Sequence, residues 1–172
     1  MQMVRRIIGG FFLSILLLWL LAPKEELYYF LEKELKKNDI IISNETVKDI
    51  WFGFIIENAD IYVKGAKMVQ LSKLQLNIFF LYNTLTVENI ETNEAIHNVA
   101  PKDIGNAMVK YSVLDPLKIT IDAQGSFGVA TGAVTPIDRK VKILLPVAKD
   151  IKVFKKFLEK DKEEGWKYET NY

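Results

Sequence analysis

From Asp39 onward, apolar and polar residues alternate with the two-residue period of β-strands. Short strands are predicted at Ile40 to Ser43 and Val47 to Trp51, and a longer one runs from Phe54 to Val63, ending at a Lys64-Gly65 turn. In Met68 to Ile78 the pattern changes phase: Val69 and Leu71 share one parity, whereas Leu74, Leu76 and Ile78 share the other. A strand that keeps one face apolar through such a change must bulge or change partners near Ser72-Lys73. Thr84 to Thr92 continues the strand pattern. Leu117, Ile119, Ile121 and Ala123 then alternate strictly with Lys118, Thr120, Asp122 and Gln124. Phe127 to Thr135 and Val141 to Leu145 complete a meander, with Pro136 to Arg139 as the turn between them.

Three segments have helical spacing instead. In 23–38, Leu27, Phe30, Leu31 and Leu35 fall on one face, with Glu25-Glu26 at the start and Lys33, Lys36 and Lys37 near the end. The segment either lies on a membrane surface or covers one end of the sheet. Pro101 to Tyr111 places Ile104, Ala107, Met108 and Tyr111 at helical intervals behind a proline. Val147, Ile151, Phe154 and Leu158 do the same before a charged tail. Antiparallel strand runs with separate helices predict an α+β fold: a mainly antiparallel, β-rich domain with two or three flanking amphipathic helices.

The N-terminus adds a different element. Residues 7–22 read IIGGFFLSILLLWLLA, sixteen uncharged residues preceded by Arg5 and Arg6. A secretory signal would carry a small-x-small cleavage site, and Leu20-Leu21-Ala22 followed by Pro23 lacks one. The run is therefore read as a retained transmembrane helix, with Ile7, Phe11, Phe12, Leu16, Trp19 and Leu20 in lipid. Arg5 and Arg6 set an N-terminus-in, single-pass topology. The expected organisation is a cytoplasmic stub (1–6), an anchor in a bacterial inner membrane (7–22), a juxtamembrane helix (23–38), a periplasmic domain (39–160) and a flexible charged tail (161–172).

Composition narrows the chemistry. Beyond residue 22 stand 21 basic and 22 acidic residues, 21 − 22 = −1, so no basic field exists to gather nucleic acid. The absence of cysteine excludes disulfides, thiolate metal sites and cysteine nucleophiles. His97, the single histidine, lies in a polar loop. No Walker loop, dinucleotide fingerprint, calcium loop or serine elbow is present, so neither catalytic residues nor cofactors are expected. Aromatic residues are plentiful instead. Trp51, Phe52, Phe54, Phe79, Phe80, Tyr82 and Phe127 either fill a core or line a lipid groove. Trp51, Phe52, Phe79, Phe80 and Tyr82 are the candidate partner or lipid contacts.

The stretch MVQLSKLQLNIFFLYNTLTVENIETNE, two alternating strands around an aromatic corner, resembles an element of AsmA-like envelope proteins. The preceding VKDIWFGFIIENADIYV and the glycine-containing GSFGVATGAVTPIDRKVKILLPV are similar to parts of the type II secretion system protein N family. The resemblance implies a non-enzymatic, inner-membrane-anchored periplasmic scaffold or accessory subunit of a secretion, pilus-like or motor assembly, working through other envelope subunits or self-association. The alternative it implies is a lipid-binding or lipid-transfer component with a hydrophobic β-groove.

Overall fold

The computed structural model describes Gly10, Ser14, residues 24–161 and residues 165–171. Within the two long stretches, helix α1 (Glu25–Lys36) precedes eleven strands. These are β1 (Ile40–Ser43), β2 (Thr46–Ile50), β3 (Gly53–Val63), β4 (Ala66–Phe79), β5 (Tyr82–Thr92), β6 (Asp103–Ser112), β7 (Asp115–Gly125), β8 (Gly128–Thr135), β9 (Lys140–Ala148), β10 (Glu159–Asp161) and β11 (Gly165–Asn171). All belong to one sheet, ordered β1-β3-β4-β5-β6-β7-β8-β9-β11-β10, with β2 also on β3. Every pairing is antiparallel. From β3 to β9 each strand pairs with the next one in the chain, through short turns except for the 93–102 loop between β5 and β6. β1 and β2 pair with the two halves of β3 and act as one interrupted edge strand.

A crease crosses the first five strands of this sheet. The registers on either side place Glu45 opposite Asn58, Asn58 opposite Ser72, Ser72 opposite Asn89, and Asn89 opposite Gly105. Asn44, Asn58 and Asn89 have φ of 65°, 56° and 51°, the left-handed conformation that asparagine tolerates better than most side chains. Gly105 sits at the β6–β7 register shift. Each strand thus resets its alternation at the same line. Ile61, Leu71 and Ile90 below the line and Ile56, Leu74 and Val87 above it pack in one apolar cluster despite their opposite parity. The phase change legible at Ser72 is one position of that five-strand feature.

The sheet's two ends are covered on the apolar side. At the first, α1 inserts Tyr28, 2% exposed, beside Phe54, with ring centroids 6.0 Å apart in an edge arrangement. The Tyr28 hydroxyl donates to Glu45 Oε1 at 2.6 Å, and burial followed by this bond pushes the phenol pKa far up. Of the predicted apolar face, Leu27, Phe30 and Leu31 stay exposed and Leu35 is half-buried; Tyr28 turns inward instead. At the other end, residues 149–158 fold back so that Ile151, Phe154 and Leu158 join Phe127 and Leu145. Gly128 (φ 99°) makes that turn possible, since a Cβ there would lie 1.8 Å from the Val147 carbonyl oxygen.

Several expectations are corrected. The fold is an antiparallel β-sheet with one amphipathic helix in 24–171, not α+β with two or three. Pro101 to Tyr111 forms β6, because Ile104 and the Ala107, Val109, Tyr111 set face one way once Gly105 resets the pleat. Val147 to Leu158 holds the end of β9 and a single 3-10 turn at Lys155–Phe157. The segment read as a charged tail supplies β11, whose Trp166 and Tyr168 pair with Leu145 and Ile143. Among the described residues no helix is long and apolar enough to cross a membrane. The transmembrane, single-pass and inner-membrane placement is accordingly not carried forward. Arg5, Arg6 and the expected anchor residues Ile7, Phe11, Phe12, Leu16, Trp19 and Leu20 lie outside the described residues.

The crease has measurable consequences. Asn89→Val forces a β-branched residue into the left-handed region and is expected to cost about 1–2 kcal/mol in urea unfolding, whereas Asn89→Gly should stay within about 0.5 kcal/mol of the parent. Beside the crease, Asp60 accepts from Asn44 Nδ2 at 2.8 Å and lies 2.7 Å from Lys67 Nζ. The Lys67 bond first, then the Asn44 bond, holds its carboxyl below the usual aspartate range. The unfolded chain therefore takes up this proton first as pH falls. The stabilisation is complete above about pH 4 and disappears as pH drops through the lower folded value. Asp60→Asn should lower the neutral-pH Tm and flatten the acid limb of a Tm-against-pH series.

Candidate functional site: an apolar sheet face

Beyond the crease, cross-strand register aligns apolar side chains in rows at right angles to the strands. One row runs Phe54, Leu76, Leu85, Val109, Ile121, Gly132, Ile143 and Tyr168 across eight consecutive strands. A second, nearer the crease, runs Val47, Ile56, Leu74, Val87, Ala107, Ala123 and Ala130. A third, nearer the β4–β5 turn, runs Ile78, Asn83, Tyr111, Ile119, Val134 and Val141. At about 4.8 Å per strand, the first row extends on the order of 34 Å along the sheet.

The opposite face is polar. Gln75, Thr86, Met108, Asp122 and Thr131 follow one another across it. It carries the Lys73–Glu88, Lys110–Asp122 and Lys140–Glu169 pairs at 3.4, 3.2 and 2.7 Å. The Lys140 bond, helped by Lys167 and Lys142, keeps the Glu169 carboxyl below its usual range. These pairs are solvent-accessible and serve mainly to fix register and to keep water on that face.

Among the described residues, the apolar face has no complete cover. No residue of β5, β6 or β7 is fully buried. Leu85, Val109, Ile121, Tyr111 and Ile119 belong to neither of the two core clusters that α1 and residues 149–158 close off. Where the face passes under the second cover, a cavity of about 280 Å³ opens. Val99, Pro101, Phe127, Ala130, Ile143, Leu145, Phe154, Phe157, Leu158 and Tyr168 line it, without one charged side chain. Asn83 is the polar interruption of the third row, and its Oδ1 is buried with no hydrogen-bond donor among the described residues.

The aromatic candidates named from the sequence come together at one end of this face. Trp51 and Phe52 form the β2–β3 turn, while Phe79, Phe80 and Tyr82 surround the β4–β5 turn. Phe52 and Phe79 meet edge to face at 5.1 Å, and Phe79 and Phe80 at 6.0 Å. Phe54 and Phe127 are instead core, one under each cover. The transverse rows themselves were missed, because residues of one parity become a continuous surface only when register is known. Sequence also gave little weight to Val113, Leu114 and Ile137, the exposed apolar residues of the next turns.

No arrangement for bond chemistry is seen among the described residues. His97 Nε2 donates to the Thr92 carbonyl oxygen at 2.9 Å, which tethers its loop. No group of three or more histidine or acidic side chains converges as metal ligands among them. A broad depression of about 370 Å³ on the polar face holds Lys118, Thr120, Asp122 and Thr131, where Asp122 is paired with Lys110. What the apolar rows can do chemically is exclude water from a long, flexible, apolar molecule. No family model matches the chain, and neither a curated protein nor a solved structure matches it.

The isolated carbonyl of Asn83 is testable. A buried acceptor without a donor costs about 1–3 kcal/mol. Asn83→Leu is expected to stabilise the purified chain by about 1 kcal/mol, seen as a rise in Tm of a few degrees.

Proposed function

We propose that this protein is a non-enzymatic lipid-binding protein that holds acyl chains along its apolar sheet face, as the resemblance to AsmA-like proteins implies. The observation that supports this reading is the eight-strand row from Phe54 to Tyr168, apolar throughout yet not fully buried over β5 to β7. An acyl chain demands no hydrogen bonds, and from Phe54 to Ile143 the side chains of this row offer none. The cavity at its far end has the apolar lining that would take the end of such a chain.

The scaffold reading for an envelope assembly is the weaker of the two. It places partner contacts on strand edges and exposed loops, and both edges here are poor templates. One is Glu159-Lys160-Asp161, three residues long and fully charged; the other is broken at Asn44-Glu45 between β1 and β2.

The test is lipid recovered from purified protein. Mass spectrometry of the full chain is expected to find glycerophospholipid in near-stoichiometric amount. The double variant Val109→Glu, Ile121→Glu, which places two carboxylates mid-row, should retain at least about tenfold less. Both positions are partly exposed, so circular dichroism and Tm can verify that the sheet persists. Equal lipid in parent and variant would sink the proposal.

A further inference from the structure

Four successive hairpin turns at one end of the sheet carry large apolar side chains into solvent. They are Trp51-Phe52 between β2 and β3, Phe80-Leu81 between β4 and β5, Val113-Leu114 between β6 and β7, and Ile137 between β8 and β9. Trp51, Leu114 and Ile137 are 74%, 79% and 72% exposed. Turns are ordinarily built from Gly, Asn, Asp, Ser and Pro, for conformational reasons as much as for solubility. At the opposite end the β3–β4 and β7–β8 turns obey that habit, with Lys64-Gly65 and Gly125-Ser126. The asymmetry therefore belongs to one rim of the sheet.

Hydrogen bonds hold neighbouring turns of that rim together. Adjacent strands stand about 4.8 Å apart, so the four turns are spaced roughly 10 Å from one another over about 30 Å. The Ile78 amide donates to the Phe52 carbonyl oxygen, and the Val113 amide to that of Leu81 at 2.9 Å, which ties the first three turns together.

We infer that this rim docks the protein onto a lipid bilayer surface, the four turns entering the headgroup–acyl boundary side by side. The choice of partner rests on the lipid reading of the apolar face. The third row of that face lies directly behind the turns, so lipid at the rim meets a row that is apolar except at Asn83. Two further features favour a bilayer over a protein partner. The turns are separate projections, which lipid tails accommodate without the matched shape a protein interface needs. Trp51 and Tyr82 are also side chains of the kind enriched at membrane–water boundaries. Behind the third and fourth turns stand Lys118 and Arg139, with no carboxylate partner among the described residues, placed to meet anionic headgroups.

The experiment reads one turn directly. In the full chain carrying Trp19→Phe and Trp166→Phe, Trp51 is the sole tryptophan. Vesicles of brominated phosphatidylcholine and phosphatidylglycerol are expected to shift its emission to the blue and quench it roughly twofold. Adding Leu114→Asp and Ile137→Asp, two and three turns away, should weaken that response at least about tenfold in lipid concentration. Unchanged Trp51 emission overturns the inference, whether or not the chain floats with the vesicles by some other part. So does a blue shift that needs no vesicles and grows with protein concentration, which would make the rim a contact between copies. Failure of the lipid-holding reading is seen separately, as quenched Trp51 in a protein that yields no bound lipid.

Discussion

A β-sheet with one apolar face has to cover it, and the described residues of this chain cover only the two ends of its own. α1 seals the first end through Tyr28, and residues 149–158 seal the second through Ile151, Phe154 and Leu158. Most other features follow from that incomplete cover. Fully burying a leucine, valine or isoleucine is worth about 1.5–3 kcal/mol relative to leaving it exposed. Leu85, Val109 and Ile121 each forgo part of that in the central strands. A sequence under no constraint there would place threonine or lysine at such positions, as it does on the reverse face with Lys110 and Thr120. Apolar residues held in register across partly uncovered strands therefore point to an occupant from outside the described fold.

The crease explains how one face stays apolar along the length of the strands. Strict alternation from Ile61 to Phe54 would turn one half of β3 outward relative to the other. Left-handed Asn58 and Asn89, and the bulge at Gly105, reset the pleat at the same transverse line in successive strands. Because the resets align, hydrogen bonding continues on both sides with unchanged register through β5. The same line passes Glu45, which accepts the Tyr28 hydroxyl, so the helix docks where the sheet changes direction. One cluster then spans the crease, and the first cover serves both halves of the strands.

Much of this was legible in the sequence. The strands from Ile40 to Thr92 and from Leu117 to Leu145 show clear two-residue alternation, and the reset in β4 shows as the change of parity between Leu71 and Leu74. β6 was read as a helix for an instructive reason. Once Gly105 breaks the alternation, Ile104, Ala107 and Tyr111 fall by chance at helical intervals, and a local window has no means to tell the two patterns apart. The last segment failed differently. Ile151, Phe154 and Leu158 do share one side, but as the inner side of a folded-back loop held by the Lys149 amide on Phe127 O and the Asp150 amide on Ser126 O, while Val147 stays exposed at the end of β9. β11 was hidden because its charges, Lys167 and Glu169, alternate with Trp166 and Tyr168 in a stretch whose partner, β9, lies some twenty residues away. The aromatic turns were legible because aromatics at hairpin positions are conspicuous. The rows were not, since they exist only across strands.

An uncovered apolar face also ties stability to occupancy. A ligand that binds only the folded sheet stabilises it by RT ln(1 + [L]/Kd), about 2.7 kcal/mol at a hundredfold excess over Kd. Here the ligand would remove from water the very side chains whose partial exposure leaves the centre of the sheet weakest. The centre has no second layer comparable to the covers at either end, so local opening should begin in β5 to β7 and spread toward Tyr28 and Ile151. The sheet's architecture helps it survive that condition. From β3 to β9 each strand pairs with its sequence neighbour, through a short turn everywhere except the 93–102 loop between β5 and β6, so a central strand that loosens can re-form its pairs locally. A groove that is sometimes empty needs such a scaffold: ends that hold without the ligand, and a middle that the ligand completes.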